Sequence, residues 1–189
     1  MSAQTGQAPD TLARPLRFIV HGAPVPQGSK RVVRGRLIDA SKGLKPYRAS
    51  VSAAAAEALG LPTDDPSALQ AALAALPVAR GAVAVSLRFG LVRPRGHYGT
   101  GRNADVLRPS APVWPATKPD VDKLERAVLD ALTGIVWADD SQVVVLNADK
   151  VYSPTPLTYV TVTRAPHLGA YTGAAPSGLP GGLAGGGLN

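Results

Sequence analysis

Residues 118–144, KPDVDKLERAVLDALTGIVWADDSQVV, decide how this chain is read. Val121, Leu124, Val128 and Leu132 recur at helical spacing, so the stretch from Asp120 to Leu132 is expected to be a helix with one apolar side. Asp139-Asp140 follows, and then QVVVLNADKVY (142–152), which reads as a strand. Upstream, GAVAVSLRFGLV (81–92) alternates Val83, Val85, Leu87, Phe89 and Leu91 on one face and predicts a half-buried strand. Two further strands are expected in LRFIVHG (16–22) and TYVTVTR (158–164). Arg34-Gly35-Arg36, between RVV and LID, suits a small hairpin. The Ala-rich run from Tyr47 to Leu59 predicts a helix, and DDPSALQAALAAL (64–76), with a proline near its start, a second, short one. The expected fold class is α/β in the α+β sense: one domain with a small mixed sheet and two or three helices.

The ends read differently. Residues 1–15 are polar and read as a disordered arm. Residues 165–189 hold eight glycines and no charged side chain, and read as a Gly/Pro/Ala-rich tail that cannot bury enough apolar surface to offset its ordering entropy. The folded domain is then 16–164. The absence of cysteine excludes disulfides, thiolate metal sites and a cysteine nucleophile. Apolar runs are too short for a membrane helix, and MSAQTGQAPDTLARP lacks the basic start and apolar stretch of a secretory signal, so no membrane role and a cytoplasmic location are expected.

Charge carries the functional argument. The chain has 20 Lys+Arg against 13 Asp+Glu, a net charge of +7, which points to a polyanionic partner. Yet residues 120–149 hold Asp120, Asp122, Glu125, Asp130, Asp139, Asp140 and Asp149 with only Lys123 and Arg126, a net charge of −5, leaving +12 for the rest. An acidic island repels phosphates unless a divalent cation inverts its sign. Mg²⁺ takes oxygen ligands, usually a few carboxylates with water and substrate phosphate. Asp120 and Asp122 lie where loop meets helix; Asp139 and Asp140 lie where the chain returns from it. If the helix packs across the sheet, the two pairs can meet. The structural alternative is that Asp120 is only an N-cap, Asp122 a favourable first-turn charge, and Asp139-Asp140 a turn before a strand.

The motif K-P-D-V-D-K-L-E-R-A-V-L-D-A-L-T-G (118–134) followed by V-W-A-D-D-S-Q-V-V (136–144) resembles the RusA-type endodeoxyribonucleases, the Holliday junction resolvases common in phages and prophages. Their pattern is D-x-D-N-L-x-K-x-x-x-D-A-L, an aromatic, then D-D-x-Q-V. The resemblance implies a Mg²⁺-dependent homodimer that cuts four-way DNA by paired symmetric nicks, with no small-molecule cofactor. It implies that Asp120, Asp122 and Asp140 hold the metal and that Asp139 helps. The family's lysine is Arg126 here and its asparagine is Lys123, so either cation is a candidate for the catalytic lysine's role. Arg126 cannot give up a proton near neutral pH, so its role is to hold charge.

Other residues are read beside this. Asp130, four residues after Arg126, is expected to support it. Trp137 is expected in the core more than on a base. Lys30, Arg31, Arg34, Arg36, Lys42, Lys45 and Arg48 form the main candidate surface for the DNA backbone, and Arg93, Arg95 and Arg102, with Arg108, His97 and Tyr98, a second one in a flexible loop. Two other function classes stay open: a non-catalytic DNA-binding module, which needs no acidic island, and a metal-dependent phosphohydrolase of small nucleotides, which needs less basic charge outside its site.

Overall fold

A computed structural model describes residues 12–28, 30–33, 36–39, 43–75, 79 and 81–166; for 30–33 and 36–39 it describes the backbone alone. The strands are β1 (Leu16–His21), β2 (Lys30–Val33), β3 (Arg36–Asp39), β4 (Val83–Val92), β5 (Val143–Ser153) and β6 (Leu157–Arg164). The helices are α1 (Leu44–Ala58), α2 (Pro66–Ala75) and α3 (Val121–Leu132). Four strands form one mixed sheet in the order β1-β6-β4-β5, while β2 and β3 pair as an antiparallel hairpin. The expected α+β architecture is therefore what the chain adopts. Residues 1–11 and 167–189 lie outside the described residues, and with them most of the expected arm and tail. Leu12 is already buried in the core, four positions before β1.

The alternation in β4 sets the layers. Val83, Val85, Leu87 and Phe89 are buried, while Ser86 and Arg88 between them are exposed, as a pleated strand requires when one face is covered. Val160 and Val162 of β6 and Val20 of β1 continue the covered face. α3 lays Leu124, Ala127, Val128, Ala131 and Leu132 into the same core, and α1 adds Leu44, Tyr47, Val51 and Ala55. Inside it, the Tyr47 hydroxyl and Thr158 Oγ1 share a hydrogen bond of 2.8 Å. Burial pushes the Tyr47 phenol up to about 12, an effect that the Thr158 bond partly opposes.

β4 and β5 are parallel, so the chain between them must cross over, and α3 is that crossover. Gly134 (φ 81) ends α3 in the left-handed region, where its N–H donates to the Trp137 carbonyl at 2.7 Å. Trp137 is fully buried with Nε1 donating to Thr133 Oγ1, as expected for a core anchor. The crossover thus begins beside the C-terminal part of β5 and ends where β5 starts, and this geometry governs the site.

Candidate active site

Asp120 is the N-cap residue of α3 with extended backbone (φ −71, ψ 138), and Asp122 is exposed in the first turn. The Asp120 side chain makes no capping bond to the helix. It accepts from Lys123 Nζ at 2.9 Å instead. That cation, with lesser help from Lys118 and Lys150, holds the Asp120 carboxyl below the usual aspartate value, and the pairing raises Lys123 in turn. Glu125, one turn beyond Asp122, is shifted up by partial burial and by the Asp122 charge. A cleft of about 410 Å³ opens at this helix start, lined by Pro24, Pro26, Lys118, Pro119, Asp120 and Lys123. A carboxylate flanked by two lysines in an open cleft suits a phosphate that arrives with a cation.

The segment leading to Asp120 is clamped from the sheet. Lys150, on β5, donates from Nζ to the carbonyl oxygens of Thr117 and Pro119, both at 2.8 Å. A separate device holds Asp139 and Asp140. Asp139 caps the 3-10 turn Asp140–Gln142, accepting from the Ser141 N–H at 2.8 Å, and hydrogen bonding to the Ser141 side chain and then its N–H lowers the Asp139 pKa. Gln142 closes the capping box: its Oε1 accepts from the N–H groups of Ala138 and Asp139 at 2.9 and 3.2 Å. Its Nε2 donates to the carbonyls of Ala79 and Gly81 at 2.7 and 3.0 Å. Asp140 is left exposed at the turn's first position.

Within one chain the two acidic pairs do not meet. Asp120 and Asp122 start α3; Asp139 and Asp140 follow its end. Twelve helical residues put those ends about 18 Å apart. The strand gives the same answer, since the seven steps from Val143 to Lys150 span about 23 Å. Among the described residues, no group of three or more His, Cys, Asp or Glu side chains is placed to hold a metal ion. The expectation that α3 would bring the pairs together fails because α3 runs along the direction that separates them.

The other candidates divide. Arg126 is exposed on α3. Asp130 does not support Arg126; it pairs with Arg48 of α1, and Ser52 Oγ donates to the Ala131 carbonyl nearby, so these groups tie α1 to α3. Arg48 is thereby engaged by a carboxylate rather than presented to a phosphate. Arg93 stacks its guanidinium 3.9 Å from the Tyr152 ring centroid and donates to the Pro112 carbonyl at 2.7 Å. His97 meets the same ring edge-on, with centroids 5.6 Å apart. The loop expected to be flexible is braced from within: Gly99 N–H donates to Val106 O, Arg108 N–H to His97 O, and Arg108 Nε to Tyr98 O. Arg95 is exposed, 3.8 Å from Asp105, and Arg102 and Lys45 are exposed. Lys30, Arg31 and Arg36 lie on the β2–β3 hairpin, where only backbone is described, and Arg34 and Lys42 fall outside the described residues.

This arrangement meets its relatives in comparison. The family model described as Endodeoxyribonuclease RusA matches residues 21–163, about three quarters of the chain. The chain belongs to the RusA endodeoxyribonuclease family. The match takes in β2 to β5, all of β6 but its last residue and only the last residue of β1, with both acidic pairs and the segment between them. A curated relative, "Uncharacterized protein YqaN" of Bacillus subtilis (strain 168), is 48% identical over 48 residues, which is 25% of this chain and 34% of that protein. The aligned stretch thus spans about a third of that relative's length. In this RusA family member, sequence reasoning missed the roles of Lys150 and Gln142. The D-x-x-Q spacing of 139–142 was the available signal for the capping box; nothing local pointed to the Lys150 clamp.

Proposed function

We propose that the protein is a Mg²⁺-dependent endonuclease that resolves four-way DNA by paired nicks as a homodimer, acting in the cytoplasm where that substrate lies. The observation that carries this reading is the exposed Asp120–Asp122 pair at the mouth of a lysine-lined cleft, in a chain of the RusA family. Two carboxylates with room for water and phosphate are a suitable donor set for Mg²⁺. The third ligand, Asp140, comes from the second copy.

The open edge of β5 favours that copy. β5 is an edge strand of 11 residues, and among the described residues nothing pairs with its outer edge. Val144, Val145 and Leu146 on it are exposed. A long apolar edge strand left open invites pairing with another chain. Antiparallel pairing of β5 with its copy across a two-fold axis sets the start of one strand beside the end of the other. Asp140 of the partner subunit then comes toward Lys150, which holds the backbone just before Asp120. Each dimer has two such sites, and a junction has two equivalent strands to cut.

When bound, Mg²⁺ supplies charge neutralisation at the phosphate and a more acidic water. The chain's own groups do the rest. Lys123 keeps Asp120 ionised and stands where the cleaved phosphate enters, which makes it the better counterpart of the family lysine. Arg126, permanently charged, holds a neighbouring phosphate. Lys45, Arg95 and Arg102, with the hairpin cations, contact the arms through phosphates, so binding weakens with salt. Asp139 acts through the turn that presents Asp140.

The test is a labelled four-way junction incubated with and without Mg²⁺, with the nicks mapped. Asp120→Asn, Asp122→Asn and Asp140→Asn are expected to retain junction binding and lose cleavage. Junction binding indifferent to Mg²⁺ with no product would identify a binding module instead, and turnover of free nucleotides a phosphohydrolase.

A further inference from the structure

Trp114 is 60% exposed and Val113 beside it 75% exposed. The chain has two tryptophans, and the other, Trp137, is fully buried. An indole in water is a cost that folding usually avoids, and its position is fixed. On one side Arg93, seated on Tyr152, holds the Pro112 carbonyl. On the other, Pro115 is buried, the Ala116 N–H donates to the Trp114 carbonyl at 2.9 Å, and Lys150 holds the Thr117 and Pro119 carbonyls. The same lysine clamp fixes the approach to Asp120, six residues on. The backbone that carries Trp114 is therefore braced against the backbone that carries the acidic pair.

We propose that Trp114 is a stacking platform for a nucleobase left unpaired or unstacked at a branch, and that it reads branch points in DNA. This rests on the nuclease reading above. Inside a duplex each base has both faces covered by its neighbours, so a protruding indole finds nothing to stack on. Where strands exchange, a base face is open. An aromatic ring takes it whatever its identity, because every base has a π-face. Lys118, four residues on from Trp114, and Lys123 line the cleft at Asp120 and attract the accompanying phosphates. Trp114 thus gives structure selectivity that the phosphate contacts alone cannot give, and holds the branch at a set distance from Asp120.

The two tryptophans make the test direct. The full-length Asp120→Asn protein, which does not cut, is titrated with a four-way junction and with a linear duplex of equal length. Binding is followed by anisotropy of the labelled DNA and, separately, by tryptophan emission. The junction is expected to quench the exposed, red-edge emission of Trp114 and leave the buried Trp137 component unchanged; the duplex does neither. Adding Trp114→Phe removes the quench. Adding Trp114→Ala weakens junction binding about tenfold to a hundredfold, the range of one base–aromatic stack, with little change for duplex. Thermal melts of both variants confirm that the fold is kept. A junction that binds by anisotropy without touching Trp emission, or a Trp114→Ala variant that binds junctions as well as its parent, overturns the stacking role while leaving the nuclease reading intact. Emission already blue-shifted before DNA is added places Trp114 in a protein interface and overturns it as well. No anisotropy change with either DNA overturns both.

Discussion

Gln142→Glu changes one atom's identity and tests the turn that presents Asp139 and Asp140. The amide makes four hydrogen bonds, two accepted from backbone N–H groups and two donated to the Ala79 and Gly81 carbonyls. A carboxylate keeps the first two. It loses both donated bonds, roughly 1–3 kcal/mol in all, and sets a negative charge against two carbonyl oxygens. Partial exposure of the site limits that repulsion, so the expected loss at pH 7 is about 2–4 kcal/mol. At about 2–4 °C per kcal/mol for a domain of this size, the melting temperature falls by roughly 4–16 °C. The sign with pH follows from linkage. The carbonyls disfavour the ionised form in the fold, so the new carboxyl titrates above its unfolded value of about 4.3. Below that value both states are protonated and the variant lies nearest the parent. The gap opens as pH rises through the folded value and is flat above it. Circular-dichroism melts of both proteins between acid and neutral pH measure this. A melting temperature unchanged at pH 7, or a gap that does not vary with pH, would refute the assigned role of Gln142.

Tyr47→Phe leaves the fully buried Thr158 hydroxyl without its partner and is expected to cost about 1–3 kcal/mol in denaturant melts, with most of it regained in the Tyr47→Phe, Thr158→Val double variant. Because burial raises the Tyr47 phenol to about 12, stability falls as pH rises from the ordinary tyrosine value of about 10 through 12, and ultraviolet titration is expected to show the Tyr47 phenol ionising only as pH nears 12. Lys123→Met removes the main cause of the low Asp120 pKa, so the Asp120 carboxyl resonance titrates at higher pH than in the parent, and junction cleavage drops. An Asp120 titration that does not move would mean that the Lys123 pairing is absent in solution.

The elements were readable because their signals are local. The Val83–Leu91 alternation and the Val121, Leu124, Val128, Leu132 spacing mark which face is buried whatever lies against it. The site was readable only as two pairs of acids. Their separation depends on which way α3 crosses from β4 to β5, and composition says nothing of that. Asp130 shows the same limit: its neighbour in sequence is Arg126, but the fold supplies Arg48, 82 residues away, and the nearer partner in space wins. Lys150 reaches Thr117 and Pro119 across more than thirty residues, a contact set by strand register. Trp114 carries no signal of its own in the sequence, because its exposure shows only once Trp137 is seen to fill the core.

In the proposed dimer each cleavage site takes Asp120 and Asp122 from one chain and Asp140 from the other. The decisive measurement mixes Asp120→Asn with Asp140→Asn, each expected to be inactive alone, after partial unfolding and refolding to exchange subunits. In a shared site, the mixed dimer has one position where both substitutions fall together and one where neither falls. Nicking of a four-way junction is then expected to return, as single nicks rather than paired ones. If each site belonged to one chain, every site in the mixture would carry a substitution, and the mixture would stay inactive despite demonstrated subunit exchange.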